Sequence, residues 1–426
     1  MAIRDACSKP RSRQYVYIGM AINKYLPFAL LYFFFNSLGL PFGLTYTGVL
    51  APFFYWWIVT VRKKDILIPF LVAIFPFLFV QVIFVGVDDK VYLISFLNLL
   101  AVYVFCQAVY TFLRDSQMPE LVFQKILLIN FLFCLVAIGF YFTPARDVFW
   151  AKQALTEGVD DFLRLKLFTY EPSYYATLVV PIFFFFLLQI LLGQNRQNKW
   201  LLFVAILVPI ILSFSLGVIV ALLLSLLIAS AIYMKRLMSK WRIIQSIALA
   251  ASLFVPAVVV LLTVFPENIV LARVQNVLFG NDTSGKGRTY DAFLLSLRII
   301  ALKSDLWGIG LGQIKVVGTN VIKDFYLYTV DYKTVAIPNA TAETLAVFGF
   351  LGLFARLGVQ IFLFFYTRVW ANYYRLLLFL FIFIYQISGS FITSPAEYVI
   401  WILAFTNVFK QYDVRKRELS PLVLQQ

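Results

Sequence analysis

Long apolar runs separated by short polar turns organise most of this chain, and most of the runs have the length of about 20 residues that a membrane-crossing helix needs. Twelve such intervals can be drawn, at 22–40, 43–61, 66–86, 91–112, 124–143, 172–192, 200–214, 217–234, 243–264, 341–366, 376–390 and 397–410. The pattern predicts an all-α, integral-membrane, polytopic bundle of about 12 transmembrane helices. No Pro/Gly/Ser linker, low-complexity tract or internal repeat divides it, so 1–426 reads as a single integral-membrane domain. Two longer polar intervals interrupt the pattern, 143–170 and, above all, 265–339.

The second interval carries its own short helices. Pro266-Glu267 followed by Val270, Val274 and Val277 reads as an amphipathic helix at the membrane surface, with Arg273 off the apolar stripe. The stretch 280–288, rich in Gly, Asn and Asp, reads as a turn-rich linker into a helix capped by Thr289 with Asp291 in its first turn. That helix is expected to set Phe293, Leu297 and Ile300 on one face and to direct Arg298 elsewhere. Gly308, Gly310 and Gly312 lack the spacing and the strand–helix setting of a dinucleotide fingerprint and read as a turn that ends it. Pro338-Asn339 then opens the tenth span, with Asn339 as N-cap and Glu343 near the positive helix end.

Composition agrees with the pattern, because 62% hydrophobic and 18% aromatic residues is far too apolar for a chain folding in water. The net charge of +15 brings nucleic acid to mind, but most of the basic residues lie in short turns on one side, as positive-inside topology requires, and call for no such partner. Arg62-Lys63-Lys64, Lys235-Arg236 with Lys240 and Arg242, and Arg415-Lys416-Arg417 carry the bias. An even span count then sets both termini in the cytoplasm and 265–339 outside it. The polar, basic stretch 1–24 lacks the apolar core and small-residue site of a cleaved signal peptide, so the first span is expected to serve as the insertion signal. Cys106 and Cys134 fall inside spans and Cys7 on the cytoplasmic side, which disfavours a disulfide. With no histidine and no cysteine pair at ligand spacing, a zinc site is excluded.

Candidate chemistry gathers at the outer side. Glu171 sits at the mouth of the sixth span between Tyr170 and Pro172, where a partly desolvated carboxylate suits proton acceptance from a sugar hydroxyl; a helix-start carboxylate interacting with the dipole fits the local sequence equally well. Arg288, between Gly287 and Thr289, can join backbone amides around a phosphate or stay a solvated loop charge. Arg164, Arg273 and Arg298 are the other outer arginines that, clustered with it, neutralise a diphosphate. Tyr170, Tyr174, Asn339 and Glu343 are candidate substrate- or acceptor-binding residues. Arg356 lies inside the tenth span, four turns in and so toward the cytoplasmic half; a structural pairing or lipid head-group contact is favoured over a substrate role. The pairs Asp88-Asp89 and Asp160-Asp161 read as solvated turns rather than cation sites, and Glu397 as a helix-start carboxylate.

The order of these features resembles the bacterial O-antigen polymerase and O-antigen ligase superfamily. The matching elements are Tyr170-Glu171-Pro172-Ser173, the hairpin Leu212-Ser213-Phe214-Ser215-Leu216-Gly217, and Gly287-Arg288 followed by Trp307-Gly308-Ile309-Gly310-Leu311-Gly312, Pro338-Asn339, Glu343, Gly349 and Gly352. The resemblance implies a GT-C-like glycosyltransferase architecture in the bacterial inner membrane with a periplasmic active site and no cofactor or metal. It also implies an undecaprenyl-diphosphate-linked glycan donor, a lipid-linked acceptor, surrounding membrane lipids, and a flippase and a chain-length regulator as partners. Members commonly carry Arg where this chain has Leu216 and His where it has Pro338. Ligases are expected to use that histidine, so its absence favours a polymerase; a ligase, or a flippase or other transporter, is the alternative. The flippase reading fits less well, because ionisable residues gather at the outer surface and no repeat is visible.

Overall fold

The computed structural model describes residues 26–35, 45–63, 65–116, 118–153, 162–193, 198–237, 283–326 and 336–414. The fold is mostly helical. In chain order the helices are α1 (Leu26–Phe34), α2 (Ala51–Arg62), α3 (Leu67–Val80, continued by a π-turn to Val85), α4 (Asp89–Asp115), α5 (Pro119–Gly139), α6 (Pro172–Leu191), α7 (Lys199–Ser213), α8 (Leu216–Leu237), α9 (Thr283–Arg288), α10 (Tyr290–Ile300), α11 (Gly318–Tyr326), α12 (Ala340–Tyr366), α13 (Tyr373–Tyr385) and α14 (Pro395–Phe405). Among the described residues six helices are long and apolar enough to cross a membrane, namely α3 with its π-turn, α4, α5, α6, α8 and α12. The expected spans at 200–214, 376–390 and 397–410 appear as the shorter apolar helices α7, α13 and α14, whereas 243–264 and the surface helix expected around Arg273 lie outside the described residues. The protein is thus a helical membrane protein.

Burial separates a central pillar from a lipid-facing wall. In the most apolar stretch of α6, 83% of residues are buried, against 6% in α3. Helix α6 is apolar on every side, with Phe183, Phe184, Phe185 and Phe186 in succession, and such a helix is satisfied only when surrounded by other helices. It packs on α7, α13 and α14, and α13 in turn packs on α8 and α14. The Phe185 ring meets Phe123, Tyr374, Phe409 and Tyr412, so α5, α13 and the segment after α14 are tied to the pillar. Ahead of α6, the polar interval folds into an unexpected antiparallel two-stranded sheet, β1 (Trp150–Gln153) and β2 (Phe162–Leu165), with Ala151 opposite Arg164.

Helix α12 is broken. Gly349 has φ 65° and ψ −166°, which no helix accommodates and which glycine alone adopts readily. At membrane depth a broken helix needs new partners for the backbone groups it frees. They come from Asp305–Gly310: Ile309 N donates to Ala346 O (3.0 Å), Gly310 N to Val347 O (3.1 Å), Phe350 N to Asp305 O (2.9 Å) and Leu351 N to Leu306 O (3.2 Å). Gln81, fully buried in the π-turn, donates through Nε2 to Trp307 O and Val347 O, both at 2.8 Å, and accepts from Tyr92 Oη at 2.9 Å. The glycine-rich stretch is the turn expected from the sequence, and its backbone also supplies the partners that the break needs. A second apolar cluster forms around it from Leu295, Ile299, Ile309, Leu311, Ile314, Ala346 and Val347, so much of the polar interval 283–326 is docked on α12 rather than free above the membrane.

Two local expectations shift. The stretch read as a linker forms α9, and the Thr289 hydroxyl donates back to Gly285 O at 2.8 Å instead of capping α10. The buried face of α10 is Asp291, Ala292, Leu295, Ser296, Ile299 and Ile300, while Leu297 is exposed; the expected Phe293–Leu297–Ile300 stripe is off by part of a turn. Ser296 accounts for the difference, since its hydroxyl lies 2.7 Å from Ala342 O and seats that face on α12.

A methyl group at Gly308 would meet the Val347 carbonyl at 2.5 Å on a backbone with φ 71°. Gly308→Ala is expected to destabilise the fold by about 2–3 kcal/mol, read as a lower midpoint of thermal unfolding in detergent. Gly358→Ala, where nothing lies within 4 Å, is expected to be neutral or slightly stabilising.

Candidate active site

Several helix ends converge on one small pocket. Glu171 is the extended residue before Pro172, which opens α6. Pro338 and Asn339 precede α12, Tyr385 ends α13, and Ser390, Phe391 and Ser394 lie in the loop that leads to α14. Arg288, the last residue of α9, reaches in from the docked polar segment. Tyr170, Ser173, Tyr174 and Thr177 complete the wall, with the Tyr170 and Tyr174 rings 4.9 Å apart.

At its centre Arg288 Nη2 stands 3.5 Å from Glu171 Oε1, and the same oxygen accepts a short hydrogen bond from the Ser173 hydroxyl. The two side chains are 34% and 20% exposed, so the pair is reachable from solvent yet partly shielded. Neither group depends on the contact for its place. The Glu171 carbonyl accepts from Thr169 Oγ1 at 3.0 Å and from Tyr175 N at 3.1 Å. The Arg288 carbonyl accepts from Asn339 Nδ2 at 2.8 Å.

Asn339 is fully buried and acts as a junction. Its Oδ1 accepts from Ala342 N at 2.8 Å, the expected N-cap bond of α12, while Nδ2 bridges to the carbonyls of Arg288 and Ile387. Glu343 lies one turn further on, and its Oε2 accepts from Ile392 N at 2.7 Å. It thereby holds the 390–394 loop that walls the pocket and does not line the pocket itself. Both residues position the site from behind.

Arg164 and Arg298 are not in this cluster. Arg164 is buried on β2 with Nε donating to Ser213 O at 3.0 Å, which ties the sheet to the end of α7. Arg298 lies over the Phe325 ring with its Cζ 4.8 Å from the centroid. Arg273 falls outside the described residues. The diphosphate-binding set expected from sequence therefore reduces, among the described residues, to Arg288.

Arg356 is placed differently from expectation. Its Nη1 donates to Thr344 Oγ1 at 3.1 Å, its Nε to Gln386 Oε1 at 3.1 Å, and its Nη2 forms an ion pair with Glu397. In a straight helix twelve residues rise about 18 Å, beyond the reach of an arginine, so the contact with Thr344 depends on the break at Gly349. Arg356 thus lies level with the starts of α12 and α14 rather than toward the far half. Glu397 lies in the first turn of α14, as expected, but it is fully buried there and also accepts from Trp401 Nε1 at 3.3 Å. Asp88 caps α4 through Val91 N at 2.9 Å, and Asp160 and Asp161 lie outside the described residues.

A much larger cavity, about 760 Å³, lies between α3, α4, α12 and α14. Its walls are mainly apolar and its only charged lining residue among those described is Arg356. What distinguishes the smaller pocket is therefore not size but a carboxylate facing a guanidinium, both partly exposed. Thr177, Tyr385, Ser390, Phe391 and Ser394 were not anticipated as site residues. A signal for the last three was present in Ser388-Gly389-Ser390-Phe391-Ile392-Thr393-Ser394-Pro395, a small polar interruption between two apolar helices.

Compared with known proteins, the chain matches no protein-family model and no curated protein.

The Arg356–Glu397 pair is buried enough for its partners to depend on each other. Arg356→Met or Glu397→Leu alone is expected to cost about 3–5 kcal/mol, and the double substitution distinctly less than the sum. Thermal unfolding of the four proteins of the cycle in detergent checks this; additive losses would mean that the two groups are not energetically paired.

Proposed function

We propose that this chain is a glycosyltransferase that polymerises undecaprenyl-diphosphate-linked oligosaccharide repeat units at the periplasmic face of the bacterial inner membrane. The observation that carries the reading is the meeting of Glu171 with Arg288 across 117 residues of sequence, at a membrane protein's helix-end pocket walled by Tyr170 and Tyr174. A carboxylate beside a guanidinium supplies a base and a counter-charge suited to transfer from a lipid diphosphate. The acceptor hydroxyl gives its proton to the Glu171 carboxylate, its oxygen attacks the anomeric carbon of the donor, and the bond from that carbon to the diphosphate oxygen breaks. Both electrons leave with the diphosphate, whose charge Arg288 stabilises. The resemblance of the Tyr170-Glu171-Pro172-Ser173 and Gly287-Arg288 motifs to the O-antigen polymerase and ligase superfamily supports the assignment, and the lack of any histidine favours a polymerase over a ligase. In this reading the architecture is GT-C-like with about 12 spans, both termini are cytoplasmic, and a flippase and a chain-length regulator act with it.

Glu171→Gln is expected to abolish polymer while expression and folding persist, since the amide keeps the shape and loses the proton-accepting group. Arg288→Ala is expected to lower activity at least a hundredfold, and Arg288→Lys not to restore it, because an ammonium lacks the bidentate fork. The glycan profile of cells carrying each variant is the measurement. A single retained repeat unit supports a polymerase, loss of all surface glycan points to a ligase or flippase, and a normal ladder removes Glu171 from the chemistry.

Orientation is tested separately. A thiol introduced by Ser284→Cys is expected to react with an impermeant reagent on intact spheroplasts, and one introduced by Ser239→Cys to react after lysis alone. The reverse pattern would put the pocket on the cytoplasmic side.

A further inference from the structure

The pocket is small, and the candidate catalytic pair meets inside it. Free space inside it is about 20 Å³, room for about one water molecule and far short of a sugar or a diphosphate. Arg288 and Glu171 face each other across it, through one long contact of 3.5 Å from a single guanidinium nitrogen. That geometry is weak. Phosphate oxygens offer guanidinium a two-pronged, shorter and stronger arrangement. The backbones of both residues are anchored independently, Arg288 by Asn339 and Glu171 by Thr169 and Tyr175, so their side chains can part without disturbing the helices. Ser173 offers the carboxylate a hydrogen bond that does not depend on Arg288.

From these observations, and resting on the function proposed above, we infer that Glu171 is an internal stand-in for the substrate's diphosphate. In the resting protein the carboxylate occupies Arg288 and the base is masked. A diphosphate arriving at Arg288 displaces it, and the displacement both opens the pocket and releases Glu171 toward the acceptor hydroxyl. The order of events follows: the donor binds before the base is available, so an acceptor or water entering first meets a carboxylate already engaged. The exchange involves no covalent change.

The full-length protein in detergent, probed with inorganic pyrophosphate, tests this. Modification of Arg288 by phenylglyoxal and of Glu171 by a carbodiimide with an amine are followed together by peptide mass spectrometry. Pyrophosphate is expected to protect Arg288 and to raise Glu171 labelling at least threefold. In a parallel titration Glu171→Gln is expected to bind pyrophosphate about two- to fivefold more tightly, the range set by a partly exposed ion pair. Protection of Arg288 with Glu171 labelling unchanged or reduced would overturn the exchange and leave the diphosphate-binding role standing. Failure of pyrophosphate to protect Arg288 would remove that role and the exchange with it. Weaker binding by the Gln variant would show that the carboxylate assists the anion's site instead of competing for it.

Discussion

Backbone amides and carbonyls have no water to turn to inside a bilayer, and the break in α12 makes that constraint felt across the whole protein. Once Gly349 leaves helical geometry, the backbone of 346–351 has to be satisfied from elsewhere, and the Asp305–Gly310 turn segment and Gln81 do so. That segment follows α10 directly, and Ser296 and the apolar cluster around Ile299 hold α10 against the first half of α12. With α10 fixed, α9 and Arg288 arrive beside Asn339, whose amide takes the Arg288 carbonyl. A hydrogen-bond requirement in the membrane thus ends by placing a cation at the mouth of α6.

The same break brings a second arginine into play, and comparison of the two pairs shows how burial decides what a pair is for. Arg356 and Glu397 are 12% and 0% exposed, and Gln386, Thr344 and Trp401 share the load. Separating such a pair strands a charge in a low-dielectric interior, so it acts as a permanent fixture. Arg288 and Glu171 are 34% and 20% exposed and meet through one long contact. Water can take over either partner at little cost, which makes this pair exchangeable. The two are linked through the 386–394 segment, because Gln386 contacts Arg356 while Ser390, Phe391 and Ser394 wall the pocket and Glu343 holds the Ile392 amide. The rigid pair therefore supports one wall of the exchangeable one.

Much of this was legible in the sequence because membrane helices declare themselves by length and apolarity, as α4, α5, α6, α8 and α12 do. Glu171, Arg288, Tyr170 and Tyr174 were legible as well, since polar groups next to Pro and Gly at span boundaries stand out against an apolar background, and the structure brings these four together. What the sequence hid was register and long-range geometry. Arg356 looks deep when residues are counted along a straight helix, and Gly349 as a chain break has no signature that separates it from Gly352 or Gly358 within the same helix. The glycines after Trp307 were legible as a turn, but nothing in the sequence says that the turn's backbone pairs with groups freed in α12. Arg164 and Arg298 carry the right charge on the right loops, but a carbonyl at the end of α7 and the Phe325 ring claim them, contacts between residues far apart in sequence.

These placements also bear on how one charged group can serve a diphosphate. A set of four arginines would hold the anion tightly in the ground state and release it slowly. In the proposed exchange, a single Arg288 among the described residues, already engaged by a carboxylate, binds the incoming anion with a net gain that is the difference between two ionic contacts instead of the whole of one. An interaction that is modest in the ground state and grows as the leaving diphosphate gains charge is the kind that accelerates transfer. The long single-nitrogen contact to Glu171 leaves the rest of the guanidinium for the stronger, two-pronged interaction that the proposed exchange requires.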